Sequence, residues 1–146
     1  AYICCGDNNG TLVDDLWKFD GSDWKQLRDI ANNDSDEDYD DDYAITRAGT
    51  VSFVIDGRGY IATGTRSGVT SDYWVYDPEE DLWYGDSDDD YTPMTNVHNV
   101  SSGGSSRSYA VSFSTGKRGF VLSGSSGTSY FDDVYELLPY EQEDVD

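Results

Sequence analysis

Two stretches of this sequence, RAGTVSFVIDGRGYIATGT at residues 47–65 and RSYAVSFSTGKRGFVLSGS at residues 107–125, align with each other without a gap. Four pairs of residues match at a constant spacing of 60 positions: Arg47 with Arg107, Phe53 with Phe113, Gly59 with Gly119, and Gly64 with Gly124. The match extends beyond a shared strand composition. The chain is therefore built from an internal repeat.

The repeat also covers the beginning of the chain. AYICCG at residues 1–6 matches GYIATG at 59–64 and GFVLSG at 119–124. An aromatic segment follows in each unit: DDLWKFD at 14–20, SDYWVYD at 71–77 and FDDVYELL at 131–138. We divide residues 1–139 into three units, followed by an acidic tail at 140–146. The units are 1–28, which lacks its first strand, 47–84, which is complete, and 107–139, which lacks its outer strand.

A complete unit predicts four short antiparallel strands. Its apolar segments alternate in the way that strands require, and the sequence contains few runs of helix-forming residues. DGRG at 56–59 and GKRG at 116–119 are hairpin signals between the first two strands. Radial repetition of four-stranded antiparallel sheets is the architecture of a β-propeller. We therefore predict an all-β propeller, with about three blades in this chain.

The unit resembles the kelch repeat, in which an apolar strand ending in Gly precedes an aromatic-x-aromatic-Asp strand and a Trp. It is most similar to the long-repeat kelch-like secreted proteins of Bacteroidetes, and the likeness covers nearly all of residues 1–139. The double Gly of kelch is replaced here by Cys5-Gly6, Thr63-Gly64 and Ser123-Gly124. The resemblance implies that the chain is the C-terminal portion of a longer propeller. It also implies an extracytoplasmic location, in the periplasm or at the cell surface.

The composition limits the partners of the chain. Thirty acidic residues against nine basic ones give a net charge of −21, which would repel nucleic acids and anionic membrane surfaces. No apolar run approaches the roughly 20 residues that a membrane-spanning helix needs. A propeller with so few blades would expose sheet edges and apolar faces, which native proteins cover. The expected partner is either the missing remainder of the propeller or a second half-ring copy, together with a glycan or protein ligand.

The acidic residues concentrate in two similar segments, DSDEDYDDDY at 34–43 and DSDDDY at 86–91. Each contains a D-x-D-x-D pattern that could hold a calcium ion: Asp34, Asp36 and Asp38 in one, Asp86, Asp88 and Asp90 in the other. The Gly and Glu of an EF-hand loop are absent. We favour solvated loops between blades, with calcium and ligand recognition as the alternatives. No other cofactor is expected.

The candidate ligand-binding residues are the arginines that open two of the units, Arg47 and Arg107, and the tyrosines that end the acidic segments, Tyr43 and Tyr91. Paired arginines at a channel mouth could bind a carboxylate or an acidic sugar. We favour the alternative, in which each arginine anchors the neighbouring acidic loop by an ion pair. Exposed Tyr or Trp on the same face would favour a carbohydrate ligand, because aromatic rings stack on sugar rings.

The sequence contains none of the common catalytic motifs: no G-x-S-x-G, no H-E-x-x-H and no phosphate-binding loop. We therefore predict a non-catalytic binding or interaction module that recognises a glycan or a protein. The alternative is a propeller-based carbohydrate-active enzyme, such as a hydrolase or a lyase. A glycoside hydrolase would require two carboxylates that converge on one site.

Overall fold

The computed structural model describes residues 1–30, 45–85, 97–99 and 105–137. The regular structure of these residues is entirely β, arranged in four antiparallel sheets, which confirms the predicted all-β class. Within the same residues no helix has the length and apolarity needed to cross a membrane. The chain divides into two compact units, residues 1–48 and 49–146, which are described separately below.

The first unit contains a three-stranded sheet and a small hairpin. The first sheet consists of β1 (Tyr2–Cys4), β4 (Leu16–Phe19) and β5 (Trp24–Gln26) in the order β1-β4-β5, and the hairpin pairs β2 (Asp7–Asn8) with β3 (Thr11–Leu12). Ile3 lies opposite Trp17, and Phe19 lies opposite Trp24. Because residues directly opposite in a ladder share a face, the apolar side chains of these four residues lie on one side of the sheet.

The second sheet is a meander of four strands in sequence order. It consists of β6 (Val51–Ile55), β7 (Arg58–Thr65), β8 (Val69–Asp77) and β9 (Leu82–Gly85). A register shift between Ala62 and Gly64 interrupts the pairing of β7 with β8. Burial alternates strictly along β6, as expected for a strand with one face against a core.

The third sheet repeats the order of the first three strands of the second sheet, but its outer strand comes from upstream in the chain. Its strands are β10 (Val97–Asn99), β11 (Val111–Ser114), β12 (Gly119–Leu122) and β13 (Val134–Leu137), in the order β11-β12-β13-β10. The sequence predicted that residues 107–139 lack an outer strand, whereas the structure pairs Val97–Asn99 with β13 at that position. An unpaired outer edge would leave backbone N–H and C=O groups open, and the upstream segment satisfies them.

The second and third sheets pack against each other inside the second unit. Their inner strands are joined where Ser112 Oγ donates to the Ser52 carbonyl at 2.7 Å and the Asp56 N–H donates to the Gly116 carbonyl at 3.0 Å. One apolar core forms between the sheets. Its buried members are Val51, Phe53, Ile55, Tyr60, Ala62, Tyr73, Val75, Val121, Tyr135 and Leu137.

In all three repeats, two consecutive residues with a left-handed backbone conformation lie at the end of the second strand. The residue before the glycine is not Gly, yet its φ is 64° at Cys5, 61° at Thr63 and 57° at Ser123. The glycine that follows also has positive φ in each repeat, at Gly6, Gly64 and Gly124. The N–H of this glycine donates to an arginine carbonyl in two repeats, from Gly6 to Arg47 at 2.9 Å and from Gly64 to Arg107 at 2.7 Å. The repeat is therefore present in the backbone as well as in the sequence.

Candidate functional site

Arg107 opens the third repeat, and its side chain is fully buried. Its guanidinium donates to both carboxylate oxygens of Asp133, from Nη1 at 2.6 Å and from Nη2 at 3.1 Å. Nη1 also donates to the Ser123 carbonyl at 2.7 Å, and Nε donates to the Ser105 carbonyl at 3.2 Å. The arginine thus ties the start of its repeat to the segment that leads into β13. This partner is not the acidic segment upstream that the sequence suggested.

Aromatic rings and charge stabilise the same ion pair. The guanidinium carbon of Arg107 lies 4.4 Å from the ring centroid of Phe131 and 4.4 Å from that of Tyr135. Hydrogen bonds from Arg107 lower the pKa of Asp133, although partial burial acts in the opposite direction. Asp133 is therefore ionised at neutral pH and holds the arginine in place.

Arg47, the equivalent residue one repeat earlier, is also fully buried. Its Nε donates to the Ile45 carbonyl at 2.9 Å, which matches the bond from Arg107 to Ser105. Both predicted ligand-binding arginines therefore lie inside the fold. Their burial favours a structural role over direct contact with a large ligand.

A small cavity of about 130 Å³ lies beside Arg107, between the second and third sheets. Its wall combines apolar and polar side chains: Ala62, Thr63, Ser71, Tyr73, Ser105, Arg107, Val121, Tyr135, Glu136 and Leu137. Glu136 is the one acidic residue in this described wall, but its carboxylate binds Arg118 on the opposite face of the third sheet. The cavity has room for water or a small polar group, whereas hydrolysis of a glycoside requires a pair of carboxylates.

Exposed aromatic residues lie at the end of the third sheet where Arg107 enters. Tyr109 precedes β11 and is 78% exposed, and Tyr130 precedes β13 and is 92% exposed. Bridges from Ser108 to Ser125 and from Ser125 to Tyr130 bring these two segments together. We call Tyr109 and Tyr130 the tyrosine pair. Two nearly uncovered aromatic rings on one end of a sheet are a surface suited to stacking on a ligand.

The backbone at Tyr109 is strained in a way that its counterpart avoids. Tyr109 has a φ of 55°, and Gly49, its equivalent 60 residues earlier, has a φ of 61°. Glycine adopts this left-handed conformation freely, whereas a bulky residue there is a genuine outlier. The N–H of Tyr109 donates to the Gly49 carbonyl at 2.9 Å. One edge of the Tyr109 ring lies over Gly49, where a Cβ would meet Cε1 of the ring at 3.3 Å, and most of the side chain is exposed.

The remaining predicted site residues lie outside the described part of the chain. These are Asp34, Asp36, Asp38 and Tyr43 in one acidic segment, and Asp86, Asp88, Asp90 and Tyr91 in the other. Among the residues that the structure describes, no group of three or more His, Cys, Asp or Glu side chains is arranged to hold a metal ion. The calcium alternative for the acidic segments stays a prediction.

Sequence reasoning missed Asp133 and the tyrosine pair. Alignment of the repeats places Asp133 at the same position as Asp15 and Asp72, which marks a shared structural role, but it does not name the arginine partner. Aligning Tyr109 with Gly49 could have indicated an unusual tyrosine. Tyr130 lies in a connection between strands, where the alignment gives no signal.

The described residues define an all-β protein of repeated antiparallel sheets, with buried arginines at the starts of repeats and exposed tyrosines at one sheet end. No family model matches the chain, and no curated protein matches it. Among solved structures, it is similar to the one titled "Structure of YjhT", with 15% identity and a TM-score of 0.48. The similarity covers 83% of this chain and 32% of that chain, so this chain spans about a third of its length.

Proposed function

We propose that this chain is part of a kelch-like β-propeller that acts as a non-catalytic binding module for a glycan or a protein. Three features support the propeller. The second and third sheets share the order of their first three strands, their inner strands lie side by side, and the left-handed pair recurs in each repeat. Propellers host many activities, so the function depends on the site and not on the fold.

The observation that carries the proposed function is the tyrosine pair. Tyr109 and Tyr130 present exposed rings on the end of the third sheet, and Tyr109 does so at a strained backbone position that is Gly in the repeat before. Aromatic rings give a large contact area at a low cost in side-chain entropy, which is why they are enriched in binding surfaces. A sugar ring or the apolar side chain of a protein would stack on this pair.

The enzyme alternative has less support in the described residues. The one acidic residue that lines the cavity beside Arg107 is Glu136, whose carboxylate is bound by Arg118 on the opposite face of the sheet, and Arg107 itself is engaged with Asp133. Two carboxylates at a suitable separation would be needed for acid and base roles. We therefore favour recognition over catalysis. The extracytoplasmic location that the kelch resemblance implies is part of the same proposal.

A glycan array probed with the full chain and three tyrosine variants tests this function. We expect bound glycans whose signal falls about tenfold or more in Tyr109→Gly and Tyr130→Ser, because each variant removes a stacking surface. Tyr2→Ser changes an exposed tyrosine of the first sheet and serves as the matched control. Tyr109→Gly should leave the free energy of unfolding unchanged or raise it by up to about 1 kcal/mol, since it relieves the left-handed strain.

The possible outcomes test the glycan ligand and the tyrosine pair separately. Glycan binding that both variants retain would show that the tyrosine pair is not the site. An array without signal from a folded chain would exclude the glycan and leave a protein ligand as the proposal. A fall in the stability of Tyr109→Gly by more than about 1 kcal/mol would mean that the tyrosine has a structural role after all.

A further inference from the structure

The core between the second and third sheets provides a template for how these repeats associate. We call the face of the second sheet that enters this core its front face; its side chains include Val51, Phe53, Ile55, Tyr60, Ala62, Tyr73 and Val75. The back face of the third sheet covers it with Gly119, Val121, Tyr135 and Leu137. A Cβ at Gly119 would lie 2.4 Å from the Phe53 ring, so the contact is tight.

The third sheet has a front face of its own, and that face is exposed. The ladder register places six residues with described side chains on it: Val111, Phe113, Phe120, Leu122, Val134 and Glu136. Val111 is 63% exposed and Phe113 is 49% exposed, whereas their equivalents Val51 and Phe53 are buried. Phe113 stacks on Phe120 with centroids 4.6 Å apart, as Phe53 stacks on Tyr60 at 5.7 Å. A similar surface is thus built twice, and the described residues of the second unit cover it once.

One charged residue of this face is already neutralised. Glu136 stands where the second sheet has Val75, and Arg118 donates to both of its carboxylate oxygens. The guanidinium carbon of Arg118 also lies 5.2 Å from the centroid of Phe120. A carboxylate paired in this way can enter an interface at a much lower cost than an unpaired one.

The first sheet exposes a face that resembles the back face of the third sheet. Ile3 lies opposite Trp17 as Val121 lies opposite Tyr135, and Phe19 corresponds to Leu137. Ile3 is 56% exposed, and Trp24, which lies on the same face, is 49% exposed. The first sheet therefore presents, uncovered, the back-face pattern that buries the front face of the second sheet.

We propose that the front face of the third sheet binds the back face of the first sheet of a second copy of this chain. The contact would resemble the interface between the second and third sheets, with Phe113 in the place of Phe53 and Ile3 in the place of Val121. Ala1 stands where the third sheet has Gly119, so the Phe113 ring must shift to make room for the Cβ of Ala1. Exposed apolar faces of this extent mark interaction sites, and repeated sheets of this kind supply a complementary surface for each other. The contact is heterologous, because different faces of the two copies meet.

The net charge sets the conditions under which this association forms. Each copy carries a net charge of −21, so two copies repel each other at low ionic strength. Salt screens this repulsion over a distance that shrinks from about 20 Å near 0.02 M to about 6 Å near 0.3 M. The dissociation constant should therefore fall as salt is added. If surface ion pairs held the contact, added salt would instead raise the dissociation constant.

Sedimentation equilibrium of the full chain across protein concentration and salt tests the proposal. We expect species of at least twice the 16.2 kDa chain mass that dissociate on dilution. Because the contact is heterologous, a pair of copies keeps one free face of each kind and can add further copies unless the contacts close into a ring. Phe113→Ser and Ile3→Ser should each raise the dissociation constant about tenfold or more, because each removes a central apolar contact. Val54→Ser changes an exposed valine outside both faces and should have no effect. A mixture of the Phe113 and Ile3 variants should recover an association that neither shows alone.

Four results would overturn the second copy as the partner. A folded chain that stays at 16.2 kDa under all conditions would leave a longer form of the polypeptide as the source of the covering sheet. Loss of association in Phe113→Ser but not in Ile3→Ser would mean that two front faces pair. Association that neither substitution weakens would place the contact elsewhere, as would a mixture that fails to associate. Circular dichroism of each variant shows whether it is folded. The glycan array does not depend on this contact, so the two proposals can fail separately.

Discussion

The second and third sheets share the order of their first three strands and have closely similar sequences, but their front faces differ in burial. Val51 and Phe53 are inside a core, whereas Val111 and Phe113, at the equivalent positions, face outward. Because the residue types are identical, the difference comes from the neighbouring sheet and not from the strand itself. A repeat sequence therefore specifies an apolar face, whereas the presence of a neighbouring sheet determines whether that face is buried.

The largest predicted difference between the two sheets is in the effect of truncating their equivalent phenylalanines. Phe53→Ala removes a buried ring from the core and should lower the free energy of unfolding by about 3 to 5 kcal/mol. Phe113→Ala, measured at a concentration where the chain is monomeric, should cost less than about 1 kcal/mol because the ring is half exposed. Urea denaturation followed by tryptophan fluorescence measures both. Equal losses would contradict the difference in burial.

The next largest effect concerns the ion pair that anchors the third repeat. Asp133→Asn leaves the buried guanidinium of Arg107 without its carboxylate, and should cost about 3 kcal/mol at pH 7, the lower end for a broken buried pair, because Asp133 is partly exposed. Asp132→Asn changes an exposed neighbour and is the matched control. It should change stability by less than about 0.5 kcal/mol.

The same variants give a pH dependence with a definite sign. Since the pKa of Asp133 is lowered in the folded state, the unfolded state binds more protons as the pH falls below the ordinary Asp value of about 3.9. The stability that the pair contributes is therefore present above that pH and is lost as the pH falls through the lowered pKa. The wild-type chain and Asp133→Asn should converge in stability below pH 3.9, and a constant gap would contradict the assignment.

Much of this fold could be predicted from local sequence patterns. The spacing of 60 between Phe53 and Phe113 located equivalent strands, and the hairpin signals placed the turns before β7 and β12. The outer strand Val97–Asn99 could not be found in this way, because it pairs with β13 through the backbone and has no repeated side-chain pattern.

The candidate site was less accessible from sequence than the fold. Arg107 was recognised as a conspicuous residue of the repeat, but its burial and its pairing with Asp133 depend on contacts between segments 26 residues apart. The exposure of Tyr109 depends likewise on which surfaces the third sheet leaves open. Local periodicity predicts strands and faces, whereas exposure and ion pairing are properties of the packed chain.

The smallest expected effect uses two glycines at the same repeat position, Gly59 and Gly119. A Cβ at Gly119 would lie 2.4 Å from the ring of Phe53, whereas a Cβ at Gly59 would meet its nearest neighbour, the Cβ of Tyr76, at 3.7 Å. Gly119→Ala should therefore lower the free energy of unfolding by about 1 to 3 kcal/mol through overpacking, while Gly59→Ala should change it by less than about 0.5 kcal/mol. Thermal unfolding of both variants measures the difference.

Combining Gly119→Ala with Phe53→Leu tests the cause of that loss. If the added methyl group destabilises the chain by pressing on the ring, the smaller and more flexible leucine should make room for it, and the two substitutions should cost less together than the sum of their separate effects. Strict additivity would mean that the loss has another origin. The close contact between Phe53 and Gly119 would then not be the reason why the front face of the second sheet fits the third sheet.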